Sequence, residues 1–387
     1  MNKNVGRIAA TAIAFTGVAI AQNSVRPSAG KIQFTDSQIA ATNSYWTPER
    51  LANAKPLPLP KVDRSLAAIM ANASPIASEP KMSGKGGLPS VKLTPENESS
   101  EPIRLNQGDE EMTELSGIQP EGFNYVMPFS NHRVPALNYP YSTVGKIFFF
   151  VPAGASEPSG EYVCSGAVAL NNHTVLTARH CMYDVNTHVW YSNWIFYPAY
   201  NNGPNAAYHN GWTIRKASTW TGGSWDYDIG FLQLNDDRGY GCNGSSGGYP
   251  IGAYTGWLGY AYGGDYSQRQ WDVFGYPQAA PFNGSYQYDD EAATGVLNPL
   301  GAANIVEIGN PQTGGTSGGP WVLGLDPEAQ ADPVPTNNVW PTLTNLANGL
   351  NSFKWTNPNQ PEAINGPAFF QYNFWNLYVY YVGQSCP

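Results

Sequence analysis

Leu176-Thr177-Ala178-Arg179-His180-Cys181 reads as an apolar strand end that delivers a histidine. Imidazole titrates near neutrality, so a histidine held in place at such an end suits a general base. Forty-eight residues further on, Asp228-Ile229-Gly230-Phe231-Leu232-Gln233-Leu234 opens with a carboxylate and continues as an apolar run that would anchor it in a core. Another 89 residues bring Ser317, set inside Gly314-Gly315-Thr316-Ser317-Gly318-Gly319-Pro320. A serine hydroxyl is a poor nucleophile near pH 7 and needs a base within hydrogen-bond reach. His180, Asp228 and Ser317 therefore supply a proton acceptor, the acid that orients it, and a hydroxyl framed by backbone amides. Asp226, on the loop that begins Gly222-Gly223-Ser224-Trp225, is the rival acid. The amides of Gly315 and Ser317 are the expected donors to the oxyanion of a tetrahedral intermediate.

Cys164-Ser165-Gly166-Ala167, followed by the stretch 176–184, resembles the chymotrypsin-fold (trypsin-like) serine peptidases, most of all their bacterial V8-like glutamyl-endopeptidase branch. Further similarities are Val126 to Val134 with Tyr139-Pro140-Tyr141 as a mature start, Gly256-Trp257-Leu258-Gly259-Tyr260, Gly275-Tyr276-Pro277 and Gly366-Pro367-Ala368-Phe369. The resemblance covers 126–387 and implies an all-β fold of two six-stranded antiparallel barrels with a C-terminal helix. It implies a secreted serine endopeptidase that cuts protein or peptide substrates through an acyl-enzyme and needs no cofactor. The four cysteines allow three pairings; the resemblance implies Cys164–Cys181, leaving Cys242–Cys386. It also assigns substrate contacts to Gln312 and Asn351, and makes Ser352, Phe353 and Lys354 a ledge on which an extended peptide adds as a strand. The glutamyl branch carries a histidine where this chain has Asn351, so a preference for glutamate is not implied. Thr316 stands where the trypsin branch has an aspartate that receives the new N-terminal amine, so maturation must work differently here. Arg179 replaces a small residue.

Composition sets the surroundings. Met1 to Ala21 has a basic start (Lys3, Arg7), an uncharged run from Ile8 and a small-residue end, Ala19-Ile20-Ala21, which is the pattern of a signal peptide. Residues 22–125 are rich in Pro, Ser and Asn, lack cysteine and carry an acidic run from Glu96 to Glu121, so a largely disordered propeptide is expected. The folded part is then 126–387. Its strand-like runs, such as Val144 to Val151 and Trp194 to Tyr197, alternate with Gly and Pro turns, and Phe370 to Tyr381 is a helical candidate. Asp326 to Trp340 reads as an insertion between two strands. A net charge of -9 and a pI near 5.0 argue against nucleic acid as a partner. His132, His173, His188 and His209 have no zinc-binding spacing, and no run after the signal peptide is apolar enough to span a membrane. A soluble, exported monomer without a metal is expected. A second reading, suggested by the 13% aromatic content, is an inactive homologue that grips peptide or polysaccharide with Tyr and Trp.

Overall fold

The computed structural model describes residues 27–62, 79–91, 127–209, 211–239, 247–297, 304–328, 343–356 and 362–382. Six strands close a first barrel. Val144–Val151, Gly160–Val168, Thr174–Thr177, Gly230–Leu234, Trp212–Trp220 and Ser192–Pro198 pair antiparallel in that cyclic order, the last returning to the first. Ile147, Phe149, Cys164, Val175, Phe196 and Leu232 meet inside it. The register sets Gly230 opposite Thr177, so the end of one strand adjoins the start of the other. His180 lies just beyond the first of these points and Asp228 just before the second.

A second ring stands beside it. Gln270–Gly275, Tyr288–Leu297, Ile305–Gly309 and Ala363–Pro367 follow one another, and Leu346–Leu350 and Pro320–Leu323 lead back to the start. Its closure is slight: Phe353 pairs with Asn365 as a single bridge, helped by the Ser352 amide donating to Asn365 O at 3.0 Å. Trp271, Val273, Val306, Trp321 and Ile364 fill the interior. The C-terminal segment winds through wide π-type turns, Gln371–Trp375 and Tyr378–Val382. Phe374 packs against Phe231 on the outer face of the first barrel, and Trp220 Nε1 donates to Asn373 O at 2.7 Å.

One expectation is corrected. Residues 27–62 and 79–91, taken with the rest of 22–125 as a largely disordered propeptide, are ordered and packed on the barrels. Ala29–Gln33 adds antiparallel to Trp212–Trp220, and Met82–Gly84 pairs with Gly259–Tyr262. Between them, the helix Asp36–Tyr45 begins with a capping box at Thr35, and Pro48–Asn53 begins with Thr47 as its cap. The physical reason lies in the barrel strand. Ile147-Phe148-Phe149-Phe150 is apolar on both faces, and its outer face needs a cover. Phe148 packs with Trp46, Ala54, Val163, Ile195 and Tyr197, and Phe150 meets Tyr45 edge-on at 6.0 Å.

The signal-peptide residues 1–21, the boundary at Val126, Cys242, Cys386 and most of the 326–340 insertion lie outside the described residues. Among the described residues, no helix is long and apolar enough to cross a membrane.

Candidate active site

The short turn Arg179–Cys181 follows the strand Thr174–Thr177 and is fastened in two ways. The Cys164–Cys181 disulfide ties it to the neighbouring strand. For a loop of this length, the chain-entropy account gives a bridge about 3 kcal/mol. The second fastening is the His180 amide, which donates to Asp228 Oδ1 at 2.9 Å. The ring then donates from Nδ1 to Asp228 Oδ2 at 2.8 Å. Held by main chain and side chain to one carboxylate, the imidazole has little freedom to rotate, and its Nε2 is left as the acceptor.

Asp228 is fully buried. Burial alone would raise its carboxyl, but the His180 charge and hydrogen bond, the Arg179 guanidinium and the Ser352 hydroxyl outweigh it and hold the group down at about 2. Ser352 Oγ donates to the same Oδ2 that His180 uses. The rival Asp226 turns elsewhere: it accepts from Ser224 Oγ and, at 2.7 Å, from Tyr372 OH.

Arg179 points inward, 3% exposed. Its Nη1 donates to Gly222 O at 2.5 Å, its Nη2 to Ser224 O at 3.3 Å, and its Nε lies 3.9 Å from Asp228 Oδ1. It thus clamps the loop that carries Asp228. Arg179→Met keeps most of the stem but strands these carbonyls and removes the charge. The expected loss is about 3–5 kcal/mol of unfolding free energy, read from urea denaturation.

Ser317 sits in the glycine turn with its Oγ shielded from solvent and without a hydrogen-bond partner; His180 Nε2 is in the same condition. Main-chain bonds bring the turn to the histidine loop. The Ser165 amide donates to Ser317 O at 2.8 Å, and Cys181 Sγ lies 3.7 Å from that oxygen. The His180 ring is within 4.8 Å of both disulfide sulfurs, whose mutual bond makes this grouping no metal site.

Two glycines are required by geometry. Gly315 has φ +98°, a left-handed conformation that glycine adopts without strain. At Gly319 an added Cβ would fall 2.0 Å from the Phe274 carbonyl oxygen, which is backbone and cannot step aside. Gly319→Ala is expected to cost about 1–3 kcal/mol, seen as a lower urea midpoint.

The residues expected at the substrate pocket have polar groups already engaged. Gln312 Nε2 donates to Val273 O at 3.2 Å while its Oε1 accepts from Thr316 Oγ1. Asn351 Nδ2 reaches Thr316 Oγ1 at 2.9 Å, and Asn351 Oδ1 accepts from Trp321 Nε1 at 2.9 Å. These side chains form the buried floor beneath the serine turn. Phe353 is buried between Trp225 and Trp355. Ser352 gives its hydroxyl to Asp228, a role that its place in the ledge did not suggest.

The family model described as Trypsin matches residues 151–297, a span holding His180 and Asp228. None of the curated proteins matches the chain. Among solved structures, a thermostable serine protease AL20 from an extremophilic microorganism is 25% identical, with a TM-score of 0.48, covering 63% of this chain and 98% of its own. Protease Anisep from Arthrobacter nicotinovorans is likewise 25% identical, with a TM-score of 0.47 over 64% of this chain and 97% of its own. A Glu endopeptidase is 15% identical, with a TM-score of 0.46 over 66% and 97%. With every TM-score below 0.5, these likenesses add nothing to the barrel already described from its strands. Through the span that the Trypsin model matches, this chain resembles the trypsin-like serine peptidases of the chymotrypsin fold.

Proposed function

We propose that the chain is the precursor of a secreted serine endopeptidase acting on extended segments of proteins. The observation that carries this reading is the double attachment of His180 to one buried, ionised carboxylate, Asp228. Such an attachment leaves Nε2 free to take a proton from Ser317 Oγ as the hydroxyl attacks a peptide carbonyl. Asp228 stabilises the imidazolium so formed, and the Gly315 and Ser317 amides receive the negative charge that grows on the carbonyl oxygen. His180 then returns the proton to the departing nitrogen, leaving an acyl-enzyme on Ser317. Water, activated by the same imidazole, releases the acid. The polar groups of Gln312 and Asn351 are engaged internally, which supports no preference for glutamate before the cut bond. A signal peptide ending at Ala21 would direct the chain to export and be removed from it.

The test is covalent. The proteolytically matured protein is treated with an organophosphonate and the adduct located by mass spectrometry; one adduct, on Ser317, is expected. An unmodified Ser317 in fully matured protein would favour the binding-module reading instead.

A further inference from the structure

Residues 55–62, Lys-Pro-Leu-Pro-Leu-Pro-Lys-Val, cross the cleft rather than skirt it. Lys55 and Pro56 pair in parallel with Tyr162 and Val163 of the first barrel, and the Leu57 amide donates to Val163 O at 3.0 Å. The Leu57 carbonyl then accepts from the Gly315 amide at 3.2 Å, a donor assigned above to the oxyanion. Further along, the Lys354 amide donates to Pro60 O at 3.0 Å and the Thr356 amide to Val62 O at 3.1 Å. Lys61 and Val62 thereby pair in parallel with Lys354 and Trp355, continuing the ledge expected to receive substrate. Leu57, 2% exposed, packs into the first barrel's core, and Leu59, 7% exposed, into the second's. Two residues beyond Gly315, Ser317 Oγ is buried and unpartnered, as is His180 Nε2.

We propose that the cleft is a binding site for an extended apolar peptide with proline at alternate positions, and that residues 55–62 of this chain occupy it and hold the enzyme latent. This rests on the reading of Ser317 and His180 as the reactive pair. The occupant suits its place. Its prolines restrict φ near -65°, so part of the ordering cost of an extended segment is met before it binds. The bonds after Lys55, Leu57 and Leu59 are imides. Acyl transfer breaks the C–N bond as His180 hands its proton to the departing nitrogen, and a proline ring puts carbon where an ordinary amide nitrogen carries hydrogen. The strap fills the site while offering it poor leaving groups.

The test uses the full chain. Hydrogen exchange should find the Gly315, Lys354 and Thr356 amides protected in the wild type, and at least tenfold faster in Leu57→Glu/Leu59→Glu, with the strand Thr174–Thr177 unchanged. In that variant Ser317 should react with an organophosphonate at least tenfold faster, and added synthetic peptide Lys55–Val62 should slow it again. Wild-type Gly315 and Lys354 amides exchanging at the rates of an unstructured peptide would overturn the proposal, a result that needs no variant to fold. Measurable labelling at equal rates in the two proteins would overturn it as well. Faster exchange in the variant, with no labelling of either protein, would support occupancy by the strap and remove instead the assignment of Ser317 as nucleophile.

Discussion

Ser317→Ala is expected to lower kcat about a million-fold in the matured protein, and His180→Ala by a similar factor. The two losses should not add. Each variant removes the same event, transfer of the Ser317 proton to His180 Nε2 during attack, so a double variant has little further to lose. What survives in all three should be the thousandfold or so that charge stabilisation by the Gly315 amide and substrate binding provide without a nucleophile. Folding should be untouched by Ser317→Ala, because Ser317 Oγ makes no hydrogen bond and the turn is held by its main chain. The measurement is kcat on a chromogenic peptide, with unfolding midpoints as the control for folding. A loss of less than a hundredfold from Ser317→Ala would sink the assignment of the nucleophile. Strictly multiplicative losses would show that the serine and the histidine do not act as a unit.

What the sequence made legible and what it concealed have physical causes. His180 and Asp228 could be placed together because each adjoins an apolar run, and antiparallel pairing of those runs puts the end of one beside the start of the other. Preference for Asp228 over Asp226 followed from the same anchoring, and the carboxylates do face different partners. The direction of Arg179 was not legible, since a cation beside a buried acid can point either way until the loop 222–224 is seen to offer carbonyls. The amide side chains of Gln312 and Asn351 were read as substrate contacts, but a buried turn around Thr316 absorbs them. The larger misreading concerned residues 27–62. Their Pro, Ser and Asn content hides a thin series of buried apolar residues, Ile39, Trp46, Leu57 and Leu59. The signal for that packing lay in the partner: the consecutive apolar run Ile147 to Phe150 cannot leave one face in water. A strand apolar on both sides asks for a cover, and in this chain the cover also leads into the cleft.

Asp228→Asn is expected to lower kcat about ten-thousandfold, the scale of an imidazole held in the wrong tautomer. Every group facing the Asp228 carboxylate is a donor: the His180 amide, His180 Nδ1–H, Ser352 Oγ and, more distantly, Arg179 Nε. An asparagine would put an NH2 among them. If that NH2 faces the ring it must donate to Nδ1, which drives the ring proton to Nε2, where it blocks acceptance from Ser317. If it faces the His180 amide instead, two donors meet and the histidine loop must shift. Stability should carry a signature of its own. Because the folded carboxyl titrates at about 2, below its ordinary 3.8, its ionised form stabilises the fold fully above that ordinary value, and the contribution is lost as pH falls through about 2. The gap in unfolding free energy between wild type and Asp228→Asn should therefore be widest above pH 4 and narrow towards pH 2. Urea titrations at several acid pH values, paired with kcat at neutral pH, read both effects. A kcat within tenfold of wild type would show that Asp228 does not orient His180, and a stability gap that does not change with pH would show that it does not remain ionised beside it.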